Sequence, residues 1–218
     1  MKDILDFLKD LNENNNREWF DQNRKRYQKA KDLFEVFITD ITARISLNDP
    51  SIGLPAAKDS IFRIFRDVRF SADKLPYKTN FGAFISNGGR KTQRSGYYIH
   101  IEPGASMVGG GIYMPPADVL KKLRKEIYFN ADSFKHILNE KKFKKIFGYL
   151  EDFDKLKRPP KDFDSMFPDI ELLKYKSYVV MHKLPDDVVL SDKLADHLLE
   201  ACSAMTEFNH FLNKAFEE

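Results

Sequence analysis

A chain of 218 residues is long enough to bury a continuous core, and 36 basic against 33 acidic residues leave a net charge of +3, too small for bulk electrostatics to select nucleic acid. Charged residues make up 32% and hydrophobic ones 42%, while 19 Phe and 9 Tyr supply the bulky side chains that such a core needs. No apolar run approaches the roughly 20 residues of a membrane helix, Asp3 and Asp6 interrupt any signal-peptide core, and the single Cys202 excludes an intramolecular disulfide. The expectation is one domain over residues 1–218 in a reducing, cytoplasmic setting, with no membrane partner.

Ile4, Leu5, Leu8 and Leu11 recur at helical spacing, and after Asn14-Asn15-Asn16 a longer periodic run takes in Trp19, Tyr27, Ala30, Phe34, Phe37, Ile41 and Ile45. Two helices are expected, the second capped by Asn15, with Glu18 three residues on reaching back in a capping box. Asn48-Asp49-Pro50 stops that helix, because proline lacks a donor and biases its predecessor away from helical ψ.

From Ile61 the period shortens toward two. Residues 81–86 form a short strand, and Tyr97, Ile99 and Ile101 alternate with Tyr98, His100 and Glu102 as a half-buried one. Residues 107–114 can return antiparallel across the Pro103-Gly104 turn, with Gly109, Gly110 and Gly111 serving the sheet's geometry. Residues 87–96 between the first two strands read as a mobile basic loop. Pro115-Pro116 open a helix through Val119, Leu120, Leu123 and Ile127, and shorter helices follow around residues 134–138 and 143–150. Residues 178–184 resemble a strand, and Ser191 is placed to cap a last helix through Leu194, Leu198, Met205, Phe208 and Leu212. Strand–helix alternation of the doubly wound kind is absent. The order predicts an α+β fold: a small central antiparallel sheet flanked by helices, with a long N-terminal helix and a C-terminal helix.

Phe62-Arg63-Ile64-Phe65-Arg66-Asp67-Val68-Arg69-Phe70, continuing through Asp73-Lys74-Leu75-Pro76-Tyr77-Lys78-Thr79, resembles the signature of the bacterial and fungal family called domain of unknown function 2461. Asn15-Asn16-Arg17-Glu18-Trp19-Phe20, Gly96-Tyr97-Tyr98-Ile99-His100-Ile101-Glu102-Pro103-Gly104 and Gly111-Ile112-Tyr113-Met114-Pro115 are similar to its other landmarks, in the same order. The resemblance runs nearly end to end and implies a fold unit and a shortlist of positions. It carries no activity, so chemistry must come from the residues.

Residues 61–78 hold Arg63, Arg66, Arg69, Lys74 and Lys78 against Asp67 and Asp73, an excess that equals the charge of the whole chain. Three arginines at i, i+3 and i+6 fall on one helical face or around one irregular turn. Guanidinium forks pair bidentately with phosphate or carboxylate, so an anionic ligand at Arg63, Arg66, Arg69, Lys74, Tyr77 and Lys78 would account for the excess, with the Tyr77 phenol as an added donor. The competing account is a structural network in which Asp67, Asp73, Glu18 or Glu102 neutralise the arginines internally.

His100 and Glu102 share a strand face and, with Asp73, are the candidate proton-transfer groups; a solvated or hydrogen-bonded surface is the commoner account of the first two. His136, His182, His197 and His210 lack metal-ligand spacing, and neither a metal nor a cofactor is expected. Residues 104–109 miss the nucleophile-elbow spacing, and the buried apolar company of Cys202 argues for an inert thiol. Three functions stay open: a binder of a phosphorylated or carboxylate ligand, an enzyme acting on such a substrate, and a structural or partner-binding protein. Single-stranded nucleic acid is a further partner of the first, through the basic residues that run on to Arg90 and Arg94, and the oligomeric state is left open.

Overall fold

The period-two segments close into β1 (Phe81–Ile85), β2 (Gly96–Ile101) and β3 (Met107–Ile112), and β4 (Tyr178–Lys183) pairs with β3 to complete an antiparallel sheet in the order β1-β2-β3-β4. This computed structural model describes residues 1–217. Ala83 stands opposite Ile99, Ile99 opposite Val108 and Gly110 opposite Val180, so the apolar positions of all four strands stack on one face. Phe81, Ala83, Ile85, Tyr97, Ile99, Ile101, Val108 and Val180 on that face are at most 2% exposed.

Before the sheet come α1 (Lys2–Glu13), α2 (Arg17–Gln22), α3 (Arg24–Asn48) and the short α4 (Ala57–Ser60). Four helices fill the connection from β3 to β4: α5 (Ala117–Phe129), α6 (Ala131–Asn139), α7 (Lys141–Phe147) and α8 (Ile170–Leu173); α9 (Asp186–Leu190) and α10 (Leu194–Asn213) follow β4. Phe34 of α3 stacks on Phe81 at 5.4 Å, and Met205, Phe208 and Leu212 of α10 join the same core cluster. Each such fully buried side chain stabilises the fold by roughly 1.5–3 kcal/mol relative to exposure. Gly110 lets α10 lie this close, because a Cβ there would run into Met205 Sδ and would stand 2.7 Å from the Gly96 carbonyl oxygen. No helix among the described residues is long and apolar enough to cross a membrane.

Three local expectations are corrected. The cap of α2 is Asn16, in extended conformation and accepting from Trp19 N at 2.9 Å, and the long helical run breaks at Asn23. Asn15 instead bridges to the Tyr77 backbone, donating to its carbonyl at 3.0 Å and accepting from its N–H at 3.1 Å. Tyr77 sits opposite Phe65 in an isolated antiparallel bridge whose hydrogen bonds run between Arg66 and Pro76 and between Lys78 and Ile64. Its own polar groups therefore point outward without a ladder partner, and Asn15 satisfies both. Ser191 does not cap α10: it donates to Val188 O at 2.8 Å and closes α9, while α10 starts at Leu194. The basic stretch after β1 is tied down rather than loose, through a 3-10 turn at residues 89–91, a 2.7 Å bond from Arg90 to Lys58 O and a 2.9 Å bond from Ser86 to Ser95 O.

A carboxylate enters the core side. Asp49, at the C-terminus of α3 and 1% exposed, accepts from the Tyr97 hydroxyl at 2.6 Å, Ser51 Oγ at 2.5 Å and His210 Nε2 at 2.9 Å. Burial pushes its pKa up, but the hydrogen bonds from Ser51, Tyr97 and His210 outweigh that and hold it below its usual value. A carboxylate so satisfied joins α3, β2 and α10 at one point.

Candidate functional site

The opposite face of the sheet carries the alternate residues Phe84, Tyr98, His100, Met107 and Met181, and it lines a cleft of about 700 Å³. Phe62 and Lys78 enter it from the segment before β1, Arg90 and Arg94 from the turn after β1, and Tyr113, Met114 and Phe153 from the connection beyond β3. Tyr113 and Phe153 meet edge to face at 5.9 Å. Met114 has φ +45°, the one non-glycine among the described residues at positive φ, and a 2.9 Å bond from its N–H to Ser177 Oγ holds it there. Such strain persists where surrounding structure over-determines it, as at ligand-binding rims.

A hydrogen-bonded chain runs through the sheet side of the cleft. His100, 9% exposed, has Nδ1 at 3.0 Å from the Tyr98 hydroxyl and 3.3 Å from Asn80 Nδ2, and Nε2 at 2.8 Å from Glu102 Oε2. Thr79 Oγ1 donates to the other Glu102 oxygen at 2.5 Å. A carboxylate accepts and an amide nitrogen donates, so the network assigns the ring proton to Nε2 and leaves Nδ1 to accept. Burial, then the nearby Glu102 carboxylate, pushes the Tyr98 phenol up to about 12, so it remains a proton donor at neutral pH. Glu102 fixes the tautomer, His100 Nδ1 accepts the Tyr98 hydroxyl proton, and the Tyr98 oxygen turns its lone pairs to the cleft. This is the ordering that general acid–base chemistry requires.

Three cations line the cleft: Lys78, Arg90 and Arg94. Among the described residues, none of them forms an ion pair. The Lys78 ammonium stands 5.4 Å from the centroid of Phe62 and the Arg94 guanidinium 5.6 Å from that of Phe216. Burial, then repulsion from Arg63 and Arg66, lowers the Lys78 pKa below its ordinary value.

The rest of the sequence-nominated set lies elsewhere. Residues 61–80 are not helical; bridges from Ile61 to Ala83 and from Phe65 to Tyr77 give an extended excursion, so the arginines surround an irregular turn. Arg66 pairs with Asp73 at 2.5 Å, Arg69 grips Asp67 at 2.7 and 2.9 Å, and Lys74 donates to Val68 O at 3.0 Å. A bond from Arg69 depresses Asp67, and bonds from the Leu75 N–H and then Arg66 depress Asp73. Arg63 is exposed, and Tyr77 is buried in a 4.0 Å stack on Phe20, with Asp21, Arg17 and Arg24 near its phenol. Lys78 alone of those six lines the cleft, and of the proton-transfer candidates His100 does, with Glu102 behind it.

Tyr98, Asn80 and Thr79 escaped the sequence reading as site residues. Tyr98 was within reach, two positions before His100 on the same strand face; Asn80 and Thr79 converge only through the turn before β1. Among the described residues no group of three or more His, Cys, Asp or Glu side chains is arranged to hold a metal ion. No curated protein and no solved structure matches the chain. A family model described as a conserved hypothetical protein (DUF2461) matches residues 3–211, and the chain belongs to that family.

Proposed function

We propose that the chain binds an organic anion in the cleft over the open face of the sheet, with Arg90 and Arg94 receiving its charge, Lys78 beside them, and the Phe84, Tyr98, Met107 and Met181 surface receiving its body. The observation that carries this reading is the absence of any carboxylate partner for the three cations among the described residues. The arginines outside the cleft, Arg66 and Arg69, are by contrast neutralised by their own neighbours. A cation drawn partly out of water without a counter-charge is costly, and an incoming phosphate or carboxylate removes that cost with charge-assisted hydrogen bonds. The internal pairing of Arg66 and Arg69 also removes basic surface that a nucleic-acid strand would track, which favours a small molecule.

A second reading rests on the Tyr98–His100–Glu102 chain: the bound anion is a substrate, and His100 with Tyr98 moves a proton on it. Asp73, held by Arg66 and outside the cleft lining, has no part in this.

Calorimetric titration with phenyl phosphate tests the binding reading. Charge-assisted bonds contribute about 1.5–3 kcal/mol each, so Arg90→Gln and Arg94→Gln should each weaken binding by roughly tenfold or more. Equal affinity in wild type and both variants, or weakening only in Arg66→Met, would move the site out of the cleft.

A further inference from the structure

Lys78 is the odd member of the cleft's cations. Arg90 donates to Lys58 O and Arg94 stands over Phe216, whereas the Lys78 ammonium has neither a carboxylate partner nor a side-chain hydrogen bond among the described residues. It is half-buried beside the Phe62 ring, with two arginines close enough to repel its charge, and it shares the cleft with Tyr98 and His100. A half-buried lysine beside an aromatic ring has given up part of the hydration that keeps its charge, and no carboxylate among the described residues restores it. A lysine that must offer a lone pair gains from both desolvation and adjacent cations.

We propose that Lys78 is a nucleophilic amine that condenses with the carbonyl group of an anionic aldehyde or ketone bound in the cleft, forming an imine. For its substrate class this rests on the anion-binding reading above, with Arg90 and Arg94 holding the charged end. The neutral Nζ lone pair attacks the carbonyl carbon, a C–N bond forms, and the carbonyl π pair moves onto oxygen. The proton shed by nitrogen ends on that oxygen, giving the carbinolamine. One further proton lets the C–O bond break and water depart, leaving a protonated imine; amine, carbonyl compound and proton become iminium and water, with no change of oxidation state. Tyr98, backed by His100 and Glu102, is the group on the cleft wall equipped to pass these protons. The surrounding Phe62, Phe84 and Met181 surface shields the imine from hydrolysis.

Limited reductive methylation of the folded protein with formaldehyde and cyanoborohydride at neutral pH, followed by peptide mapping, reads the neutral fraction and access of each lysine. Lys78 should be labelled measurably faster than the exposed Lys2 and Lys122, and Lys78→Met should lose the fast-labelling fraction. A parallel arm uses pyridoxal phosphate with borohydride as a carbonyl probe that carries a phosphate, and the lead of Lys78 should widen. If Lys78 leads with formaldehyde but gains nothing with pyridoxal phosphate, the amine assignment stands and the anion-binding reading fails. If Lys78 reacts no faster than Lys2 and Lys122 with formaldehyde, or the fast fraction survives in Lys78→Met, the assignment is overturned.

Discussion

Tyr97 and Tyr98 are adjacent in β2 and meet opposite fates, and the contrast between them is the contrast between the two faces of the sheet. Tyr97 points into the core and gives its hydroxyl to Asp49 at 2.6 Å, in a knot where Ser51 and His210 complete the carboxylate. Tyr98 points into the cleft and meets His100 at 3.0 Å, in a cleft shared with cations that no carboxylate among the described residues neutralises. Burial raises both phenols, Tyr97 further. On the core face the Asp49 carboxylate has its donors, and the result is architecture. On the open face Lys78, Arg90 and Arg94 have no ion pair among the described residues, and that imbalance is what a ligand would correct.

Breaking the core side should have the largest effect on stability. Asp49→Asn leaves the Tyr97 hydroxyl and His210 facing an amide in place of a carboxylate, and should lose about 2–4 kcal/mol in a urea melt at neutral pH. Because the folded pKa of Asp49 is depressed, its contribution is present above the unfolded value of about 4 and disappears as pH falls through the folded value. The variant should therefore lose part of the wild-type decline in stability below about pH 4.

A smaller loss separates the two tyrosines directly. Tyr97→Phe deprives Asp49 of a donor in a buried site and should cost about 1–2 kcal/mol. Tyr98→Phe, at the cleft, should stay within about 0.5 kcal/mol of wild type while abolishing proton transfer to any bound substrate. Equal losses in the two variants would erase the distinction between the faces. The smallest effect belongs to Arg66→Met: its pair with Asp73 is solvent-accessible, so the urea midpoint and slope should both match wild type.

The architecture was legible because hydrophobic period is a local property. Tyr97, Ile99 and Ile101 announce a strand, and the run from Trp19 to Ile45 announces helix, since each burial pattern is written within one element. What failed at the caps was a competition invisible in one dimension: Asn15 and Asn16 are equally good caps by type, and the unpaired backbone of Tyr77, 62 residues away, decided between them. The site was legible in part. His100 and Glu102 stand out by alternation and do meet, at 2.8 Å. The arginines of residues 63–69 drew attention by density, but density is blind to pairing, and Asp67 and Asp73 lie close enough in the turn to neutralise Arg69 and Arg66. Lys78 differs only because the chain turns toward the sheet there and carries its side chain into the cleft. The Asp49 knot joins residues more than 100 positions apart, and no sequence period links Asp49 to His210.

The two faces differ most in the proposal that the open face of the sheet, not the arginine turn, receives an anion. Titrating phenyl phosphate into uniformly nitrogen-labelled protein and following amide shifts by NMR tests it most directly. Saturable shifts should concentrate at Lys78, Asn80, Arg90, Arg94, Tyr98 and His100, with Arg66, Arg69 and Lys74 unmoved. Shifts centred on Arg66 and Arg69, or none up to about 10 mM, weaker than a specific site of this size should be, would overturn it.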